Sequence, residues 1–387
     1  MFERFRLSCI VVFVGLFCRA TRPALAAASP STLPIPDDLD DRADSSWFHV
    51  ANKTRNRNVN AGVEHLNRYV AWHEASILTG RCADAKILLW KQPGRRGFAD
   101  EHRQIYFSLL KAMQRQMLFF AFTPSWISVI TPIWGWEWIA FLREHHARCG
   151  LPQDPLEAES DPRVIIYTEG DEPARLKALP SYSISGPSMS KWRSMFFLPS
   201  PSVQRLLDRN LALLGSPFIG VHIRTGAADS MKPHPLETDI PKKNGNRGFQ
   251  PGHEAHFLAR VEAMQSRYAA LMSSASKGTT VRVFLASDLP SLIPIFEQRL
   301  GQQVVITTPG PIAHTQQPGS DEGMLKALAD WFTLSNAHAA VVTFNSFFGI
   351  TATEALKSSL VDGDSWRYEA VKLPELPPPS AAVQRDL

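Results

Sequence analysis

At 387 residues with 44% hydrophobic and 20% charged residues, the chain can bury one large or two medium globular domains, and it lacks the composition of a disordered or fibrous protein. The net charge is only +4, with basic residues scattered among acids, so nothing points to a nucleic-acid partner and none is expected. A pI near 8.9 is compatible with a phosphorylated ligand.

In chain order, Arg4 and Arg6 precede the apolar run Leu7 to Cys18, and the small residues Ala24 to Ala28 follow. This is the layout of a secretory signal. The run falls short of the ~20 residues that span a bilayer, which favours a cleaved signal over residues 1–28, although Arg19 and Arg22 leave a signal anchor open. The expected location is the secretory-pathway lumen, endoplasmic reticulum or Golgi, or outside the cell, with membrane contact only through this segment if it is uncleaved. Of the four cysteines, Cys9 and Cys18 lie in the leader, and Cys82 and Cys149 can pair in an oxidising lumen. Asn52-Lys53-Thr54 is a glycosylation sequon. Residues 29–60, with their prolines and the acidic run Asp37 to Asp41, are read as a flexible stem.

A first folded region, 61–200, contains the apolar run Lys86 to Trp90 and the loop Gly94-Arg95-Arg96-Gly97-Phe98-Ala99-Asp100. A helical stripe through Ile105, Leu109, Ala112 and Gln116 follows, then the strand Met117 to Phe122. Strand, glycine loop, helix, strand opens a Rossmann-type unit, without the spacing of a dinucleotide fingerprint. Trp134, Trp136 and Trp138 share a face if the segment is extended. Burial is the commoner fate of such rings; stacking on a sugar is the alternative.

The second region, 201–368, opens with a helix from Val203 to Leu214 and the strand Pro217 to Ile219, leading into Gly220-Val221-His222-Ile223-Arg224-Thr225-Gly226. A long polar segment, Ala227 to Gly252, reads as a lid or acceptor loop. A helix bearing Phe257, Val261, Met264, Tyr268 and Leu271 precedes the strand Val281 to Ala286, which ends in Ser287-Asp288. Next come a helix from Leu292 to Leu300, a strand from Val304 to Ile306 and a helix buried along Leu325, Leu328 and Phe332. The strand Ala339 to Phe344, a turn from Asn345 to Gly349 and a helix from Ile350 to Leu356 complete the region. Such alternation specifies an α/β fold with parallel sheets. Residues 369–387 are read as a disordered tail.

Three strand ends carry polar groups: His222 and Arg224, then Ser287 and Asp288, then Thr343, Asn345 and Ser346 ahead of a helix. Free N–H groups at Phe347 to Gly349 suit a phosphate, with Ser346 adding a hydroxyl and Arg224 a guanidinium. Asp288 and Asp330, acceptors only, suit a purine edge or ribose hydroxyls. Taken singly, Asp330 reads as a helix-surface acid and Ser346 as a cap. Asp362-Gly363-Asp364, and His253 with His256, have metal-like spacings, but the first lies in a polar tail and the second lacks a third ligand, so no metal site is expected.

Together these stretches resemble the fucosyltransferases that use GDP-fucose: the α-1,6-fucosyltransferase, protein O-fucosyltransferase and plant cell-wall fucosyltransferase group. Gly220 to Arg224 is similar to the group's H-x-R motif, Phe284 to Leu292 to its second motif and Ala329 to Ser346 to its third, and Gly97 to Asp100 looks like the loop that closes over the donor. The resemblance implies a GT-B architecture, two Rossmann-like domains facing across a cleft. It also implies metal-independent, inverting transfer of fucose to a glycan or glycoprotein hydroxyl. The implied donor contacts are Gly97, Phe98, His222, Arg224, Asp288, Asp330, Thr343, Ser346 and Phe347. Arg224 would hold the diphosphate, and no cofactor beyond the donor is implied. Thr225 stands where the α-1,6 enzymes carry a second arginine, His338 where an acid is usual, and the group's glutamate base has no glutamate counterpart. Asp229 is the first candidate for the base, with Asp100 or Glu101 second. A non-catalytic GDP-sugar- or glycan-binding protein, or a transferase of another GDP-sugar, is the alternative.

Overall fold

Ile87-Leu88-Leu89-Trp90 has no polar residue on either face, the pattern of a strand covered on both sides. It forms β1 (Ile87–Lys91), the middle strand of a three-stranded parallel sheet between β2 (Leu118–Phe122) and β4 (Val164–Tyr167). The structure is a computed structural model and describes residues 59–91, 97–123, 126, 128–168, 173–181, 192, 195–225, 249, 252–272, 280–312, 321–344, 346–360 and 364–372. The leader, stem, sequon, most of the polar loop with Asp229, Asn345, Asp362 and the tail from 373 lie outside the described residues.

Helix α1 (Val59–Leu78) leads into β1, and α2 (Phe98–Gln114) connects β1 to β2. The expected stripe reached Gln116, but the helix stops at Gln114. Gln116 turns to φ 54, its N–H reaches Met113 O and that of Met117 reaches Ala112 O, a C-terminal cap that ends the helix and aims the chain into β2. A short strand β3 (Ile130–Pro132) follows, then α3 (Trp138–His145), α4 (Pro155–Glu159), β4 and α5 (Ala174–Lys177). The alternating tryptophans are not on one extended face, because 133–135 bend and Trp138 opens α3. All three are buried, in different places: Trp134 edges Tyr69 and His73, Trp136 stacks on Phe196 at 4.2 Å, and Trp138 packs on Phe141. Cys82 and Cys149 form a disulfide within the core of this sheet, alongside Ile87, Leu89, Leu118 and Phe120.

Strand β5 (Phe197–Pro199) pairs antiparallel with β3, and Ser200 caps α6 (Pro201–Leu214) by accepting from Val203 N. Then come β6 (Phe218–Ile223), α7 (Glu254–Met272), β7 (Arg282–Ser287), α8 (Leu292–Leu300), β8 (Val305–Ile306), α9 (Asp321–Leu334), β9 (Ala339–Thr343), α10 (Phe347–Ser359) and β10 (Tyr368–Val371). The strands form one parallel sheet in the order β10-β9-β6-β7-β8. Two expectations need correction. Glu369 to Val371 are not tail but part of an edge strand pairing with Val341 to Thr343, too short and too polar to announce itself by alternation. Helix α10 begins at Phe347 rather than Ile350, so the expected turn is largely helix.

Alternate residues of β6 face opposite helical layers. Ile219, Val221 and Ile223 join the cluster with Phe257, Val261 and Phe296 of α7 and α8. Gly220 faces α9, where an added Cβ would lie 2.9 Å from Ala337 Cβ, so the helix approaches the sheet only because glycine stands there. Both sheets lie in the compact unit Phe48–Leu387. Between them runs an aromatic block of Phe98, His102, Trp126, Trp192, Phe197 and Trp331.

Candidate functional site

The strand order locates the site before any side chain does. From β6 the chain builds outward through β7 and β8, then crosses back to place β9 on the other side of β6. The helices that follow β6 and β9 cover opposite faces of the sheet, α7 against Ile219 and Val221 and α10 against Ala340 and Val342, so β6 and β9 flank the switch point, and open α/β sheets bind ligands in the crevice beyond the carboxyl ends of such strands.

Arg224 leaves β6 at this crevice. Its backbone N–H donates to Thr343 Oγ1 at 2.9 Å, its Nη1 to Asp288 Oδ2 at 2.9 Å, and Thr343 Oγ1 donates to His222 O at 3.3 Å. Asp288 also accepts from Thr225 N at 2.7 Å and Thr225 Oγ1 at 2.8 Å. One arginine is thus fixed by groups from three adjacent strand ends, and a carboxylate offsets part of its charge. Both Asp288 oxygens accept from Arg224 and Thr225, and the Thr343 hydroxyl holds the backbone that carries Arg224.

His222 is 5% exposed, stacks on Phe348 and touches the first turn of α10. Burial lowers its pKa to about 4, with Arg224 lowering it further and Asp288 opposing, so the ring is neutral at physiological pH. Its Nδ1 is buried without a hydrogen-bond partner. Ser346 occupies the N-cap position of α10, buried, yet its side chain makes no capping bond. It is therefore not the helix cap that its type suggests. Phe347 is 43% exposed at the helix start.

Asp330 is buried on α9, not a surface acid, and its Oδ2 accepts from Lys326 Nζ at 2.7 Å. Burial raises its pKa, while Lys326 and the Thr308 hydroxyl pull it down. Thr308 accepts from Asn210 Nδ2 at 2.7 Å, and the same nitrogen reaches Thr333 Oγ1 at 3.0 Å, so α6, α9 and the segment after β8 share one buried polar cluster. Lys326 was missed in the sequence, although its i,i+4 spacing to Asp330 was legible.

On the first sheet, Gly97 is the N-cap residue of α2, and Phe98 to Asp100 are its first turn rather than a loop. Phe98 is buried against Trp126 and Trp331, so its ring serves packing. Glu101, 1% exposed, accepts from Trp126 Nε1 at 2.8 Å. Asp100 is half-buried in the same turn. Among the described residues no three His, Cys, Asp or Glu side chains gather as a metal site would require. His253 and His256 are 6.4 Å apart ring to ring, and Asp364 lies 3.6 Å from Arg367.

No family model and no curated protein matches the chain. Solved structures resemble it at low identity. A point mutant of Arabidopsis thaliana FUT1 in complex with GDP matches at 14% identity and TM-score 0.44, over 80% of each chain. The fucosyltransferase NodZ from Bradyrhizobium matches at 14% and 0.40, over 69% of this chain and 92% of its own. POFUT1 in complex with GDP matches at 14% and 0.37, over 74% and 98%. At these values the likeness says nothing of what this chain does, and the functional reading rests on its own residues.

Proposed function

We propose that the chain is a glycosyltransferase that moves fucose from GDP-fucose to a glycan or protein hydroxyl by direct, inverting displacement at the sugar C1, without a metal. One observation carries this reading: a conformationally fixed arginine at the crevice between β6 and β9, beside the N-terminus of a long helix whose cap hydroxyl is unspent. Such a site is built to receive charge that develops on a departing diphosphate. The motif resemblance supplies the sugar and the nucleotide. In this reading residues 201–368 hold the donor and 61–200 face the acceptor.

The bond from C1 to the diphosphate oxygen breaks as the acceptor oxygen attacks from the opposite face. Arg224 and the N–H groups at Phe347 to Gly349 take the charge of the leaving diphosphate. Asp288 keeps the guanidinium aimed, and Asp330, held by Lys326, belongs to the nucleoside end. The acceptor proton goes to a carboxylate, assigned to Asp229, with Asp100 as the alternative. We place the protein in the secretory-pathway lumen, a compartment supported by its leader and by the Cys82–Cys149 disulfide.

The test is turnover of GDP-fucose by Arg224→Lys, which keeps the charge but loses the planar fork. A rate loss on the order of 10² to 10³ is expected, larger than the loss of GDP affinity, with activity retained in excess chelator. A folded variant turning over at the wild-type rate refutes the role of Arg224. Wild type that binds GDP-fucose without consuming it, by transfer or hydrolysis, identifies a binding protein instead.

A further inference from the structure

The donor site as described is short of positive charge. Asp288 already takes one N–H of Arg224, and a nucleoside diphosphate brings several negative charges. The first sheet supplies a second guanidinium. Arg103, on α2, has its guanidinium carbon 5.0 Å from the centre of the Phe347 ring and 5.5 Å from that of Phe107. Phe347 is the first residue of α10 and Phe107 lies one turn along α2; both rings are partly exposed, at 43% and 39%. Stacked on rings, a guanidinium keeps its N–H edges for a planar or tetrahedral anion.

Its position is also electrostatically incomplete. A cation beside a helix N-terminus meets the positive end of the macrodipole, and among the described residues Arg103 forms no ion pair to offset this. The acid that faces α2 from α10 is Glu354, two turns beyond Phe347, whose charge acts on Tyr106. Arg103 thus stands on the first residue of α10, the helix that follows Thr343, and Thr343 in turn holds the backbone of Arg224. A separate sign of a ligand comes from His222, nine-tenths buried, whose unpartnered Nδ1 lies against Gly349 in the same helical turn.

We propose that Arg103 is a second binding residue for the donor diphosphate, delivered from the first sheet and poised over Phe347. This rests on the GDP-sugar reading above and adds to it. The donor then bridges the two sheets through its phosphates, with Arg224 below and Arg103 from the side.

The test is calorimetric binding of GDP and of guanosine to the full chain carrying Arg103→Gln or Arg103→Lys. Arg103→Gln is expected to weaken GDP about tenfold or more, to leave guanosine affinity unchanged and to flatten the salt dependence of GDP binding; Arg103→Lys should recover part of the loss. Unchanged GDP affinity in a folded Arg103→Gln overturns the proposal alone. Equal losses for GDP and guanosine also overturn it, since they mark a packing role at the α2–α10 contact. A wild-type chain that binds no GDP overturns the donor reading and the proposal with it.

Discussion

The Arg224 guanidinium is held by neighbours that spend their own polar groups on it. Asp288 commits a carboxylate, Thr343 a hydroxyl and Thr225 both its N–H and its hydroxyl, so the guanidinium is oriented before any ligand arrives. His222, next to it, is kept neutral by burial, and the same burial couples the site to stability. A histidine whose pKa falls on folding binds fewer protons in the folded state, so stability is full above the unfolded pKa near 6.5 and is lost as pH falls toward the folded value. For His222 that window runs from about 6.5 down to about 4. His73, fully buried with its Nε2 3.0 Å from Phe119 O, behaves alike down to about 3, burial again being the main cause. Stability against denaturant should therefore fall between pH 6.5 and 5, and His222→Gln or His73→Gln should each remove up to one proton from the slope, roughly 1.4 kcal/mol per pH unit. Parallel pH profiles for wild type and both variants are incompatible with buried neutral rings.

At the scale of elements, helix α10 is aimed by contact with β6 at a position that tolerates no side chain. A Cβ on Gly349 would lie 2.7 Å from His222 Nδ1 and 3.2 Å from Val342 Cβ. Gly349→Ala must therefore shift His222 or the start of α10. Overpacking of this kind costs about 1 to 3 kcal/mol, and better helix propensity returns up to about 1 kcal/mol. The net fall in stability should be small and the loss of GDP affinity disproportionate, because the N–H groups are displaced. Gly220→Ala makes a similar clash with Ala337, deeper in the sheet, and should cost stability with little effect on affinity. Native GDP affinity in Gly349→Ala would show that the start of α10 does not hold the phosphates. The main strands were legible in the sequence because buried parallel strands are nearly pure apolar runs, as in Ile87 to Trp90 or Ala339 to Val342. Arg224 was legible because it ends such a run. What was not legible depends on neighbours distant in sequence. Nothing in Phe284 to Leu292 announces that Asp288 will meet Arg224, 64 residues earlier, and nothing near Phe98 announces that Trp331 will bury it. Edge strand β10 escaped for the opposite reason, being a four-residue segment with a glutamate inside it.

At the scale of the whole molecule, the two sheets are maintained by different means. The five-stranded sheet carries a large apolar core on its α7 and α8 face, while the three-stranded sheet is closed by a smaller cluster that includes the Cys82–Cys149 bridge. The cysteines are 67 residues apart and both are fully buried, so the bond closes a long loop from the end of α1 to the end of α3. Loop-closure entropy for that length is worth about 4 kcal/mol, a large part of a typical folding free energy. Arg163 ties the same corner by donating to Cys149 O at 2.9 Å and Gly150 O at 3.0 Å, but its partner Asp161 is near the surface and contributes less. Replacing both cysteines, Cys82→Ala with Cys149→Ala, should therefore lower the denaturant midpoint substantially, with the first sheet failing before the second. GDP binding at low temperature should survive, because Arg224, Asp288 and α10 belong to the other sheet, and it should weaken by no more than the loss expected of Arg103→Gln. The same logic predicts that protein made in an oxidising lumen carries no free thiol at these two positions, whereas protein made in a reducing compartment melts like the double variant. Thiol titration of the unfolded chain, with melting curves before and after reduction, checks both statements. Equal melting with and without the bond would mean that the cluster around Ile87, Leu118 and Trp138 closes this corner unaided.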